Sequence, residues 1–327
     1  MGPAIETDGL TKRFGDVVAV DGLDMTVERG ESYGFLGPNG AGKSTTIDLL
    51  VGFLEPTTGT ATVLGHDIRE GSREIRRRIG VLPEGTDLYP RSTGREHIAF
   101  VGRVRDVDVD PEAVLDRLGL DRADQRRYVR EYSKGMRQRL SLGMALAGEP
   151  DLLILDEPGT GLDPTGQAEI RDIVREEVDD GTTVFLSSHQ LSSVESVCDR
   201  VGILDSGHLV AEDTIEGLRD LPGVGFTVSL GFAEPIGDLG LNDLEGVTAV
   251  TRGNGLARTR RDGDADRWLD VTCRAPGDRI DAIRRADERG RLVDVETREP
   301  SLETLFERYV DDDSVHESVG KRREVQA

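Results

Sequence analysis

A chain of 327 residues is long enough for two domains. Its formal net charge of -22, from 63 acidic against 41 basic residues, argues against nucleic acid as the main partner, because phosphate backbones attract lysine and arginine. Absence of any apolar window of membrane-spanning length excludes a transmembrane helix, and two distant cysteines, Cys198 and Cys273, exclude a disulfide framework.

In chain order, Val17–Val27 reads as a strand, and the apolar run Ser32–Leu36 as a second. A glycine-rich turn follows, made of Gly37, Pro38, Asn39, Gly40, Ala41, Gly42, Lys43, Ser44 and Thr45, and residues 46–50 continue as helix. Strand, glycine turn and helix in that order cradle a polyphosphate. The glycines let backbone N–H groups converge, and the helix N-terminus adds partial positive charge. Lys43 is placed to reach the outer phosphates, and Ser44 to set its hydroxyl on Mg2+.

Residues 78–82 predict a short strand, and residues 110–120 and 135–146 predict helices within a helical insertion spanning roughly 85–150. Residues 152–155 are wholly apolar, the mark of a buried parallel strand. That strand ends in Asp156 and Glu157. Asp156 is placed to hold Mg2+, directly or through water, and Glu157 to orient the attacking water. Strands at 182–187 and 200–204 follow, with His189 just past the first, where it can contact a transferred phosphate. His66, His97, His208 and His316 form no comparable constellation.

A break at residues 220–225 opens a second region. It carries strands at 226–230, 268–274 and 292–297, a helix at 279–288, and a closing helix at 302–310. The expected domains are 1–220, a small α+β domain at 221–310, and a polar tail at 311–327.

These motifs, with Tyr132-Ser133-Lys134-Gly135-Met136-Arg137-Gln138-Arg139, resemble the ATP-binding subunit of ABC transporters. The resemblance implies an α/β P-loop NTPase fold with helical insertion and antiparallel strands. It implies ATP and Mg2+ as cofactors, and Mg-dependent ATP hydrolysis that powers an integral-membrane permease. Ser133, Lys134 and Gly135 stand at the family signature, in an SKGMRQR form, and would face the γ-phosphate held by a second subunit. Asp163, in Thr160-Gly161-Leu162-Asp163-Pro164, lies in the loop that crosses the dimer interface. Phe14 matches the aromatic that stacks on adenine.

Glu84 departs from the family pattern. It stands where glutamine usually senses Mg2+ and couples to the permease, so it keeps an oxygen ligand and adds charge. The closing segment Pro300-Ser-Leu-Glu-Thr-Leu-Phe306 resembles the drug-exporter and ABC-2 branch, which favours export.

Met1 to Asp8 is short and polar, unlike a secretion signal. The expected location is the cytoplasmic face of the membrane, peripheral through the permease. Lysine occurs only at Lys12, Lys43, Lys134 and Lys321, and such acidity with arginine in place of lysine suggests a high-salt cytoplasm. The single nucleotide domain implies a homodimer or a heterodimer with a related chain. Two other functions stay open: a soluble ABC-type ATPase of translation or DNA repair, and a nonhydrolytic nucleotide-binding regulatory module.

Overall fold

The computed structural model describes residues 2–189, 194–219, 226–234, 236–252 and 267–298. Two compact units are present, one through Met1–Ile215 and the other within Glu216–Asp311. The expected break at 220–225, the closing helix at 302–310 and the tail lie outside the described residues.

In the first unit, β1 (Ile5–Phe14) and β2 (Val17–Val27) form an antiparallel hairpin, extended by β4 (Thr58–Val63) and β5 (His66–Asp67). A six-stranded sheet lies beside it. Its order is β10 (His208–Thr214), β9 (Arg200–Asp205), β3 (Ser32–Leu36), β8 (Thr183–Ser188), β7 (Leu152–Asp156), β6 (Ile79–Leu82). β9, β3, β8, β7 and β6 are parallel, and β10 returns antiparallel. Every residue of β3, β7 and β8 is buried, as strands covered on both faces require. One hydrophobic cluster joins Ile5 and Leu23 of the hairpin sheet, Phe35, Ile154 and Phe185 of the parallel sheet, and Leu49 of helix α1 (Lys43–Leu50). This packing fixes the C-terminal ends of β3, β7 and β8 around the start of α1.

Helix α2 (Ser72–Arg78) precedes β6. The insertion between β6 and β7 carries α3 (Gly94–Arg105), α4 (Pro111–Arg117) and α5 (Lys134–Leu146). It has its own core of Ile98, Leu115, Leu120, Val129, Tyr132, Leu140 and Ala147. Helix α6 (Pro164–Asp179) joins β7 to β8, and α7 (Ile215–Arg219) follows β10.

The helix read at 110–120 begins at Pro111, because the Asp110 side chain accepts from the Glu112 and Ala113 amides as an N-cap. The helix read from 135 begins at Lys134, because Ser133 caps it. Arg78, read as strand, ends α2.

The second unit is an antiparallel sheet in the order β12 (Val247–Arg252), β13 (Trp268–Cys273), β11 (Phe226–Phe232), β14 (Leu292–Arg298), with helix α8 (Pro276–Arg289). Its core holds Val228, Leu230, Val271, Ala282 and Ala286.

Candidate functional site

β3 delivers the chain into the turn at Gly37, and two close approaches dictate glycine there. A Cβ at Gly37 would overlap the Leu204 carbonyl, and one at Gly42, whose φ is 109°, would overlap the Ala19 carbonyl. The loop is held from outside by the Gly207 amide donating to the Ala41 carbonyl at 2.9 Å.

Gly42 caps α1 without any side-chain acceptor, and no acidic residue sits in the first turn. Among the described residues, the amides of Gly40, Gly42, Lys43, Ser44 and Thr45 donate to no protein acceptor. Unpaired donors at a helix N-terminus form an anion site. Ser44 is exposed and its hydroxyl has no hydrogen-bond partner among the described residues.

Lys43 is buried and folds back on its own loop. Its Nζ donates to the Gly37 carbonyl at 2.7 Å and the Pro38 carbonyl at 3.2 Å, and lies 4.0 Å from Glu157 Oε1. Burial pulls its pKa below the ordinary lysine value, opposed by the charges of Glu157, Asp156 and Glu84.

Asp156 ends β7, Glu157 follows it, and both are buried. The Ser187 hydroxyl of the neighbouring strand donates to Asp156 Oδ1. Asp48, one helical turn past Ser44, has its carboxyl pushed above the usual range by burial and by the Asp156 charge. Glu157 sits at φ 50°, left-handed backbone that costs a non-glycine residue ~1 kcal/mol or more. The turn is held by the Glu157 amide donating to the Ser187 carbonyl at 3.1 Å. The Glu157 carboxylate accepts from the His189 amide at 2.9 Å, and its Oε1 lies 2.8 Å from His189 Nδ1. Thus Lys43, Asp156, Glu157 and His189 converge on one place.

Phe14, Ser133–Gly135 and Asp163 stand elsewhere within the chain, whereas Glu84 is near enough for its charge to act on Lys43. Phe14 is 48% exposed near the hairpin tip, under the Lys12 ammonium at 5.1 Å. Glu84 is exposed just past β6. Ser133 caps α5, with Oγ accepting from the Met136 amide at 3.2 Å. Among the described residues, no hydrogen bond or ion pair joins Ser133, Lys134 or Gly135 to the phosphate loop. One tether runs from this helix toward Glu157: Gln138 Nε2 donates to the Pro158 carbonyl at 2.7 Å. The Lys134 ammonium stands where a Cβ of Gly161 would lie, so glycine at φ 72° makes room for it. Asp163 caps α6, accepting from the Gly166 amide at 2.8 Å. The Thr160 hydroxyl is buried without a hydrogen-bond partner among the described residues, beside a cavity of about 20 Å³, room for about one water.

Sequence reading missed Ser187, Gln138 and Asp48. The first two act through contacts across elements that no local pattern announces. Asp48 was legible in principle, four residues after Ser44 on one helix face.

An open phosphate cradle at the end of a parallel strand, with a buried lysine and two carboxylates beside it, defines a P-loop nucleotide hydrolase. Residues 20–160 match the family model described as "ABC transporter". The chain is 39% identical over 324 residues to the daunorubicin resistance ATP-binding protein DrrA3 of Streptomyces coeruleorubidus, covering 95% of this chain and 96% of that one. It is 42% identical over 225 residues to the daunorubicin/doxorubicin resistance ATP-binding protein DrrA of Streptomyces peucetius, covering 67% of this chain and 68% of that one. A solved ATP-binding subunit of an ABC transporter superposes with a TM-score of 0.61 at 30% identity, over 66% of this chain and 92% of that one. The chain belongs to the ATP-binding subunits of ABC transporters: it binds and hydrolyses ATP and is of the kind that typically partners a membrane permease for export.

Proposed function

We propose that this chain is the Mg·ATP-hydrolysing subunit of an exporter, working as a dimer on the cytoplasmic face of a membrane beneath a separate permease. The observation that carries the reading is the unpaired amide cradle with Lys43 beneath it and Glu157 pinned beside it. Phosphate oxygens would replace the Gly37 and Pro38 carbonyls as partners of Lys43, and the amides of Gly40 to Thr45 would take the rest.

Mg2+ is the implied metal, and the donors suit it. Ser44 offers an exposed hydroxyl, and Asp156 a buried carboxylate. No cluster of three or more acidic, histidine or cysteine side chains able to hold a metal occurs among the described residues. That agrees with an ion that takes few protein oxygens and completes its shell with phosphates and water. Bound there, Mg2+ would neutralise charge on the phosphate oxygens. Glu84 would add an oxygen from the edge of the site.

Glu157 is the group that orients the attacking water. Two contacts from His189 fix its carboxylate, which removes reorganisation at the moment of attack. That Ser133, Lys134 and Gly135 make no hydrogen bond or ion pair to the phosphate loop of their own chain among the described residues is what a site completed by a second subunit would require. Asp163 and Thr160 would then lie at the crossing between subunits, and Phe14 would stack on the base. No helix among the described residues is long and apolar enough to cross a membrane, which supports peripheral attachment. The second unit acts as an accessory domain, and the relatives' association with drug resistance supports export.

Glu157→Gln should keep Mg·ATP binding, lower turnover by roughly 10²-fold or more, and accumulate as a dimer on size-exclusion chromatography with Mg·ATP. Lys43→Ala should lose most nucleotide binding. Unchanged turnover in both variants, or copurification with ribosomes or DNA in place of a polytopic membrane protein, overturns the reading.

A further inference from the structure

The segment carrying Glu84 is anchored at its two ends and little between. Upstream, Leu82 pairs with Leu155 in the parallel sheet. From Pro83 to Leu88, no backbone amide or carbonyl makes a backbone hydrogen bond among the described residues; the Pro83 carbonyl accepts only from the Thr86 hydroxyl, at 3.2 Å. Leu88 packs on the core of the helical insertion. The first backbone group fixed downstream is the Tyr89 amide, and its acceptor is a side chain: His97 Nε2 at 3.0 Å.

His97 is 2% exposed, on the first turns of α3. Its other nitrogen, Nδ1, lies 2.8 Å from the Thr93 carbonyl. A carbonyl oxygen only accepts, so Nδ1 carries the proton. Nε2 is then a pure acceptor, and it receives the Tyr89 amide. Both ring nitrogens are used, in one neutral tautomer. Thr93 is fixed in turn by a capping box with Glu96. The Tyr89 ring packs over the imidazole at 6.0 Å between centroids.

We infer that His97 is a positioning residue that sets where Glu84 stands against the nucleotide site, by fastening the Glu84-bearing loop to the helical insertion. It touches neither nucleotide nor metal. The loop runs from β6, in the sheet that carries the phosphate cradle, to α3, so its fastening point decides how movement of the insertion reaches Glu84. This inference rests on the proposed role of Glu84 at the Mg·ATP site.

Two substitutions separate the contacts of the ring. His97→Gln can place its amide oxygen near the Nε2 position and keep the Tyr89 acceptor. His97→Asn reaches only the Nδ1 position and keeps only the Thr93 contact. Hydrogen-exchange mass spectrometry on the full chain without nucleotide reads peptides spanning 83–89. Titration of Mg2+ at saturating ATP reads the metal requirement. His97→Asn is expected to speed exchange at Tyr89 by roughly five- to tenfold and to shift the half-maximal Mg2+ concentration, with kcat at saturating Mg2+ little changed. His97→Gln should match the parent in both. Unchanged exchange in His97→Asn overturns the inference, and so does faster exchange with an unmoved Mg2+ curve when Glu84→Gln does move it. Should His97→Asn fail to fold, loss of protection in His97→Gln overturns it equally. A Glu84→Gln curve superimposable on the parent's condemns the metal role of Glu84 by itself, a failure distinct from that of the fastening, which exchange at Tyr89 reports alone.

Discussion

Lys43 holds its ammonium where burial disfavours charge and where Glu157, Asp156 and Glu84 favour it, with burial the larger effect. A bound triphosphate adds negative charge to the favouring side. The free protein therefore carries a lysine of depressed pKa, and the complex one of higher pKa. The sign follows: in the alkaline range below the ordinary lysine value, binding of Mg·ATP takes up protons, and affinity falls as pH rises through the free-protein pKa. Calorimetric titration in buffers of differing ionisation enthalpy measures the uptake. Proton release on binding would show that another group dominates. Glu84 offers a second test at this scale. Its carboxylate adds charge near Asp156 and Glu157, and Mg2+ would offset the repulsion. Glu84→Gln should change the half-maximal Mg2+ concentration for turnover more than it changes nucleotide-free stability. Parallel Mg2+ titrations and urea unfolding decide between metal sensing and a mechanical contact.

Helix α6 shows how one side chain serves an element and a proposed interface together. Asp163 caps the helix through the Gly166 amide, and Pro164 follows at the first position. Asp163→Ala should cost ~1 kcal/mol by urea unfolding, whereas Asp163→Asn should keep the cap. If turnover falls in Asp163→Asn while stability holds, the carboxylate acts beyond its helix; equal turnover would confine it to capping. The same helix shows why legibility was uneven. Asp163-Pro164 is a start signal, but its match to the interface-loop motif masks the helix behind it. Thr93 and Glu96, the capping box of α3, carry an equally local start signal. By contrast, the phosphate loop, β3, β7 and β8 were readable because buried parallel strands are continuous apolar runs. β4, β10 and β12 alternate weakly and pair as edges or hairpins, so their existence depends on tertiary partners. Among site residues, Lys43, Asp156, Glu157 and His189 follow from strand ends. Ser187 and His97 matter through bonds to residues in other segments, which periodicity does not encode.

Across the whole molecule, two electrostatic effects of salt oppose each other. Exposed pairs such as Arg127–Asp124 and Arg78–Asp151 weaken as ions screen them, but each is worth ~0–1 kcal/mol. The net charge of -22 repels itself over longer distances, and the same screening relieves it. The Debye length shrinks from ~10 Å at 0.1 M to ~3 Å at 1 M. Contacts under 4 Å lose less of their energy over that range than charges spread across a surface. Repulsion is therefore the effect that salt changes most, and potassium chloride between ~0.1 and ~1 M should raise Tm. Calorimetry at pH 7 checks this, and a second series near the sequence pI of about 4.7 isolates the cause. There the net charge vanishes, so the rise of Tm with salt should shrink or reverse as pair screening takes over. An equal rise at both pH values would assign the effect to ion exclusion from the surface, and would leave the acidic composition without a part in it.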